Sequence, residues 1–345
     1  MPLTTGLLLL PAHTSDRLAA LAQLAERTGY DFLWIADERF FREVYASLTL
    51  CALRTERVKL GPCVTDPYSR HPALTAMAIA TLDEISGQRA VLGLGAGVSG
   101  FRELGITREQ PAVAMREAIE LIGQLLGGET ITYEGRRVAF RDGRLDFTPA
   151  RSGVPIYVAS QRPGGCRLAG RMADGAIMQG CVAEPLLRFF HRMVMEGAQQ
   201  GGRDPKSIDL VARINVCVHD DRRAARELMR PTIVRSLVAQ APEFFTFIQA
   251  GLTISPALRK KVRALPYTHD TVPFRALAAE VPDEYVDALT LTGPPAEVAE
   301  GVTRLARGGI TQFIVAPLAL DGRIEATIER FQTEVMPRVR KDLAS

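Results

Sequence analysis

Short apolar runs alternate with stretches of helical period along most of this chain. "TTGLLLL" (Thr4 to Leu10) reads as a strand and "SDRLAALAQLAERTG" behind it as a helix. In that helix Leu18, Leu21, Ala22 and Ala25 share one face, with Ser15 as the expected N-cap and Gly29 at the end. The same alternation gives strands at "YDFLWIA" (Tyr30 to Ala36), "RVKLGPCV" (Arg57 to Val64) and "RAVLGLG" (Arg89 to Gly95). Helices are expected near Tyr45 to Arg54, from about Pro72 to Ile85 and from about Gln110 to Leu126. Further strands follow at "VPIYVAS" (Val154 to Ser160), "GAIMQG" (Gly175 to Gly180), "IDLVARINVCV" (Ile208 to Val218) and "QFIVAPL" (Gln312 to Leu318). Continuous apolar strands suit a parallel sheet covered on both faces.

Eight strand–helix units predict the α/β class and a (β/α)8 TIM barrel, an architecture of typically about 250 residues. The excess in 345 residues should then lie in insertions, leaving residues 1–345 as a single domain. A short hairpin is expected after the fourth helix, in residues 130–148, where "TYEGRRVAFRDGRLDF" alternates. A helical insertion is expected after the seventh strand, in residues 230–291, and its "RKKVR" reads as a solvated face.

Composition narrows the chemistry. With 42 basic and 39 acidic residues, the net charge of +3 gives no footprint for nucleic acid. No apolar stretch reaches the roughly 18 residues that a bilayer crossing needs, so no membrane partner is expected. The five cysteines show no C-x-x-C, which suits a cytoplasmic protein, and the five histidines show no ligand spacing, so no metal site is expected.

Gly95-Ala-Gly97-Val-Ser-Gly100 spells G-x-G-x-x-G, the pattern of a dinucleotide fold. Its context is wrong. The fingerprint belongs in the first strand–helix turn, with a helix starting at the third glycine and an acidic residue ending the next strand about twenty residues on. Here it follows the fourth strand, "FRELGITREQP" intervenes before any helical period, and Glu117 and Glu120 fall inside a helix. What remains is a glycine cluster at the C-terminal end of a barrel strand, the face where barrels bind ligands. Bare backbone at Gly95 and Gly97 would let a flat ring or a phosphate approach.

Five segments carry a family resemblance: "YDFLWIADERF", "GPCVTDPYSRHPA", "GLGAGVSGFRELGI", "VPIYVASQRPGGCRLAGRMADGAI" and "LTGPPAEVAEGVTRLARGGITQFIV". In this order and spacing they resemble the luciferase-like superfamily of flavin and deazaflavin barrels. The stretch Gly61 to Ala73 is most similar to the branch that uses the deazaflavin coenzyme F420, above all to methylenetetrahydromethanopterin reductases.

That resemblance implies a cis peptide at Cys63–Val64, making a bulge that backs the deazaflavin ring, with Thr65 beside it. It implies Asp37 and Asp66 near the polar edge of the cofactor, Ala96 and Gly97 against the ring, and Ser160, Gln161, Gly164 and Gly165 around its phosphate. Amides at a helix start favour a phosphate on their own account. Asp37 and Glu38 are the candidate catalytic acids, and Arg42 and Tyr45 the candidate substrate contacts. Glu38 has a bland alternative in a salt bridge to Arg39 or Arg42.

The sequence departs from the pattern in three places. Leu7 to Leu10 and Val98 stand where the methanopterin enzymes carry acidic residues, and Glu38 stands where the glucose-6-phosphate dehydrogenases carry a histidine. The implied activity is therefore hydride transfer between F420 and some other small organic molecule, most simply reduction of a C=C or C=N bond, by a homodimer. An FMN-dependent monooxygenase of the same fold is the alternative. His13 and His71 would be its only histidines near the ring, His71 being the more structural of the two. A barrel that binds without catalysis is a third reading.

Overall fold

The computed structural model describes residues 3–97 and 99–345. The chain forms two compact units, one of residues 6–177 and 193–209, the other of residues 1–5, 178–192 and 210–345.

In the first unit the elements alternate as β1 (Thr4–Leu9, from Gly6 onward), α1 (Ser15–Thr28), β2 (Phe32–Ile35), α2 (Val44–Ala52), β3 (Lys59–Pro62), α3 (Pro72–Ile85), β4 (Leu92–Gly95) and α4 (Pro111–Leu126). The hairpin strands β5 (Ile131–Glu134) and β6 (Ala139–Gly143) follow, then β7 (Ile156–Ala159), α5 (Pro163–Met172) and β8 (Gly175–Gln179) as far as Ile177. All pairings but the hairpin are parallel: β1 with β2, β2 with β3, β4 with β7 and β7 with β8. Bridges at Leu60–Ala90 and Thr65–Leu94 tie β3 to β4.

Strands β2 and β4 are buried along their whole length, as continuous apolar runs require in a sheet covered on both faces. Phe32 and Trp34, two apart and so on one face of β2, stack at 5.9 Å, and Trp34 meets Tyr157 of β7 edge-on at 5.5 Å. The cap of α1 differs by one residue from expectation. Thr14 is extended and its hydroxyl accepts from the Arg17 amide, so Ser15 is already helical.

The expected hairpin is present, antiparallel from Ile131–Gly143 to Glu134–Ala139. A buried glutamate on α4 holds its turn: the Glu117 carboxylate accepts from the amides of Arg136, Arg137 and Val138 at 2.9, 2.8 and 3.1 Å.

The second unit contains β9 (Asp209–Val218) from Leu210 onward, β10 (Thr290–Gly293) and β11 (Gln312–Pro317), with β9 parallel to both others. Strand β10 has no counterpart in the expected set. "TLTG" has only one large apolar residue and runs straight into Gly-Pro, so no apolar run marks it. Between β9 and β10 the chain is helical, as expected, including Arg222–Gln240, Pro256–Arg263 and Asp283–Leu289. Lys260, Lys261 and Arg263 of "RKKVR" are exposed. Among the described residues no helix is long and apolar enough to cross a membrane.

Candidate active site

The candidate residues of the first unit cluster where β2, β3 and β4 end. Strand β2 stops at Ile35, the Ala36 amide still bonds Leu9 O at 3.0 Å, and Asp37 is the first residue beyond. At β3 the Cys63–Val64 peptide is cis, as expected. Cys63 N donates to Ile35 O at 2.8 Å on one side of it, and Thr65 N donates to Gly93 O at 3.0 Å on the other. The chain therefore leaves β2, bulges at residues 63 and 64, and joins β4.

This bulge explains part of the glycine cluster differently from the sequence reading. A Cβ at Gly95 would lie 2.4 Å from Val64 Cγ2, so glycine there makes room for the bulge's own side chain. The space expected to admit a ligand at Gly95 is filled by protein. Gly97 has φ +63°, and its missing Cβ would crowd Phe101 and Asp66. Residues 99–105 form turns and the next helix, α4, begins only at Pro111, so no helix starts at Gly100. Val98 lies outside the described residues.

The loops after β2 and β3 are bound together by Arg39. Its Nη1 donates to Asp37 Oδ1 at 2.7 Å and to Asp37 O at 2.9 Å, while Nη2 reaches Asp66 Oδ2 and Ser69 Oγ. Asp66 is buried, and protein donors engage both its oxygens. Tyr68 N and Ser69 N bond Oδ1, each at 2.8 Å, and Ser69 Oγ bonds Oδ2 at 2.8 Å. Asp66, expected near the cofactor's edge, also shapes its own loop.

Asp37 is different. Its side chain is 8% exposed, and Oδ2 is buried without a hydrogen-bond partner among the described residues. Burial pushes its carboxyl above the ordinary range, with Asp66 adding to the rise and Arg39 and Arg70 opposing it. The buried Thr65 hydroxyl lies within hydrogen-bonding reach of the carboxyl and lowers it somewhat.

Asp37, Glu38, Arg39, Phe40, Arg42 and Leu104 are among the residues lining a cleft of about 230 Å³. Phe40 stands 71% exposed there with φ +69°, a conformation that an aromatic residue seldom adopts. Arg42 donates to the carbonyls of Pro11 and Ala12 at 3.4 and 3.2 Å. Tyr45 is buried, with the Arg70 guanidinium 4.9 Å from its ring centroid and its hydroxyl unbonded among the described residues. Burial raises its phenol above the ordinary value. Arg39, Phe40, Ser69, Arg70 and Leu104 were missed from sequence. The only signal was the charged run Asp37-Glu38-Arg39 at a strand end, and it does not reveal that Arg39 reaches across to Asp66.

The turn expected at the phosphate begins α5. Ser160 Oγ accepts from Arg162 N at 3.1 Å, and a Cβ at Gly165 would come within 2.2 Å of that oxygen. Gly164 faces open space, Gln161 is half-buried, and no side chain caps the helix. Ala96 is half-buried beside Gly97. His71 caps α3 through Nδ1, and its Nε2 lies 3.0 Å from Ala139 O of the hairpin, which accounts for both nitrogens structurally.

The family model for the luciferase-like monooxygenases matches residues 4–312. The chain belongs to that family. It is 34% identical over 337 residues to a 5,10-methylenetetrahydromethanopterin reductase of Archaeoglobus fulgidus, covering 97% of this chain and 99% of the relative. An F420-dependent glucose-6-phosphate dehydrogenase of Kineococcus radiotolerans is 30% identical over 345 residues, covering 94% and 93%. Among solved structures, the coenzyme F420 dependent tetrahydromethanopterin reductase of Methanopyrus kandleri superposes with a TM-score of 0.86 at 28% identity, over 98% of this chain and all of that one. This luciferase-like chain has the α/β, (β/α)8 TIM-barrel fold of its family.

Proposed function

We propose that the protein is a coenzyme F420-dependent oxidoreductase that moves a hydride between the deazaflavin and a small organic substrate, reducing a C=C or C=N bond. Proteins it matches over nearly their whole length include a reductase and a dehydrogenase named as F420-dependent. One observation carries the reading at the level of residues. Helix α5 opens at Pro163-Gly164-Gly165 with no capping side chain, and the Gly164 side faces open space. Free amides at the positive end of a ten-residue helix hold a phosphate without basic side chains. Gly165 at the same time lets Ser160 sit against the turn.

The residues fit the group. Ser160, Gln161, Gly164 and Gly165 would hold its phosphate, with Cys63, Val64, Thr65, Ala96 and Gly97 near the ring. When bound, the deazaflavin supplies a two-electron hydride donor or acceptor at C5. The chain's own share is orientation and proton handling. Asp37, its carboxyl raised by burial, can keep or release a proton at Oδ2 nearer neutral pH than a solvated aspartate. Glu38 lines the same cleft, and Phe40 and Leu104 give it an apolar wall against which part of a substrate can lie. Arg42 and Tyr45 remain the proposed substrate contacts.

A cytoplasmic homodimer is part of the same proposal. Leu74, Met77 and Ile85 along α3, and Leu53 after α2, are exposed large apolar residues on neighbouring helices. Sedimentation should give twice the 37.7 kDa chain mass, and a monomer at micromolar concentration would remove the dimer.

The function is tested by titrating the purified protein with oxidised F420 and, separately, with FMN, following visible absorbance. Saturable F420 binding, tighter than FMN, is expected. Reduced F420 should then be reoxidised anaerobically by members of a panel of conjugated alkenes and imines. Tighter FMN binding, or no F420 binding, overturns the proposal.

A further inference from the structure

We propose that Arg39 is the positioning residue of this site: anchored on Asp66 and Ser69, it fixes Asp37 through Oδ1 so that Oδ2, beside the Thr65 hydroxyl, is left to receive a ligand's donor group. The observation is the division of labour within one guanidinium. Nη1 takes the Asp37 carboxylate and backbone carbonyl, and Nη2 takes Asp66 and Ser69 on the loop after β3. The side chains are largely buried, at 14% exposure for Arg39, 8% for Asp37 and 2% for Asp66. A planar fork that bonds two carboxylates at once has little freedom, and water does little to screen it.

The asymmetry within the pair of aspartates is what gives the clamp a purpose. Asp66 is satisfied at both oxygens by protein donors, so it can serve only as an anchor. Asp37 is satisfied at Oδ1, while Oδ2 is buried without a well-formed hydrogen bond among the described residues, the Thr65 hydroxyl lying near the carboxyl. A buried carboxylate oxygen without a partner is costly to leave unmade, and a group held this way is pre-set for a donor that arrives with a ligand. The groups facing Asp37 are Arg39 and Glu38 on its own loop, Thr65 and Asp66 from the exit of β3, Arg70 ahead of α3, and Glu43 and Tyr45 at the start of α2. Arg39 bonds its Oδ1 at 2.7 Å, and the Thr65 hydroxyl lies within hydrogen-bonding reach of the same carboxyl. Lysine cannot reproduce the fork, so the substitution Arg39→Lys separates charge from geometry.

The inference rests on the reading of Asp37 as the proton-handling group, and its test does not depend on the cofactor. The full-length protein is labelled with [γ-13C]aspartate, and the Asp37 carboxyl signal, assigned by its loss in Asp37→Asn, is followed against pH. Removal of an adjacent cation should raise the Asp37 midpoint by about 1–3 pH units in Arg39→Gln. Arg39→Lys should return part of that shift.

Asp66→Asn provides the decisive arm and a second variant should Arg39→Gln fold poorly. Loss of a nearby negative charge by itself would lower the Asp37 midpoint. Loss of the anchor that holds Arg39 should raise it. An unmoved midpoint in folded Arg39→Gln, or a fall in Asp66→Asn, overturns the proposal. Absence of F420 binding by the wild-type protein would instead end the deazaflavin reading and leave the titration result standing.

Discussion

Two buried carboxylates in the same unit are treated in opposite ways. Glu117 on α4 is 1% exposed and receives three backbone amides of the hairpin turn together with Arg116. Burial works against its charge, but those donors outweigh it and hold the carboxyl below its ordinary value of 4.5. Asp37 at the end of β2 is 8% exposed, receives one guanidinium on one oxygen, and is held above its ordinary value of 3.8. A carboxylate that folds an insertion onto the barrel has every donor it needs within the chain. One that waits for a ligand does not. The difference distinguishes structure from function where burial alone does not, since both groups are largely hidden from water.

The pH dependence separates them in sign. Glu117, with its native pKa lowered, contributes stability that is present above its unfolded pKa and is lost as pH falls through the native value. Asp37, with its native pKa raised, contributes stability that is present below its unfolded pKa and is lost as pH rises through the native value. Of the two, only Glu117 should add to acid denaturation.

The largest expected effect breaks the Asp37 side of the comparison. Asp37→Asn should lower turnover with any substrate that reoxidises reduced F420 by about 10²–10⁴-fold, the usual range for loss of a general acid or base. Steady-state absorbance assays read this directly, and near-wild-type turnover would return Asp37 to a structural role.

Next is Glu117→Ala. It should cost about 1.5–3 kcal/mol of folding stability at neutral pH, because buried amides lose a charged acceptor. Urea unfolding measures the loss, and F420 affinity should be unchanged. Much of the difference between this variant and wild type should vanish at acid pH, below the native Glu117 value.

The smallest effect concerns two adjacent glycines. Gly164→Ala meets open space and should leave stability within about 0.5 kcal/mol of wild type. Gly165→Ala drives a methyl group into Ser160 and should cost about 1–3 kcal/mol by thermal unfolding, with weakened F420 binding. Equal outcomes for the pair would mean that Ser160 is free to move aside.

Much of this was legible in the chain itself. Strand and helix order followed from apolar runs and helical period, and the hairpin from the alternation in Thr132 to Phe147. The exception among strands, β10, is short and half threonine, and periodicity cannot see a strand without an apolar run. At the site, the sequence correctly denied the G-x-G-x-x-G match its dinucleotide meaning but misjudged why Gly95 is glycine. Val64 fills that space, and its approach depends on a bulge in another strand. Likewise Asp37 and Asp66 look equivalent in sequence, each ending a strand. Only the reach of Arg39 across 27 positions tells the anchor from the available acid.

The most direct measurement is a crystal structure of the protein with F420 bound. The expected result places a donor of the cofactor, or of a substrate beside it, about 2.7–3.2 Å from Asp37 Oδ2. The phosphate should rest on the amides of Gly164 and Gly165, with the Glu117 bonds unaltered. A complex in which Oδ2 still touches nothing, or in which the phosphate lies away from the start of α5, would contradict it.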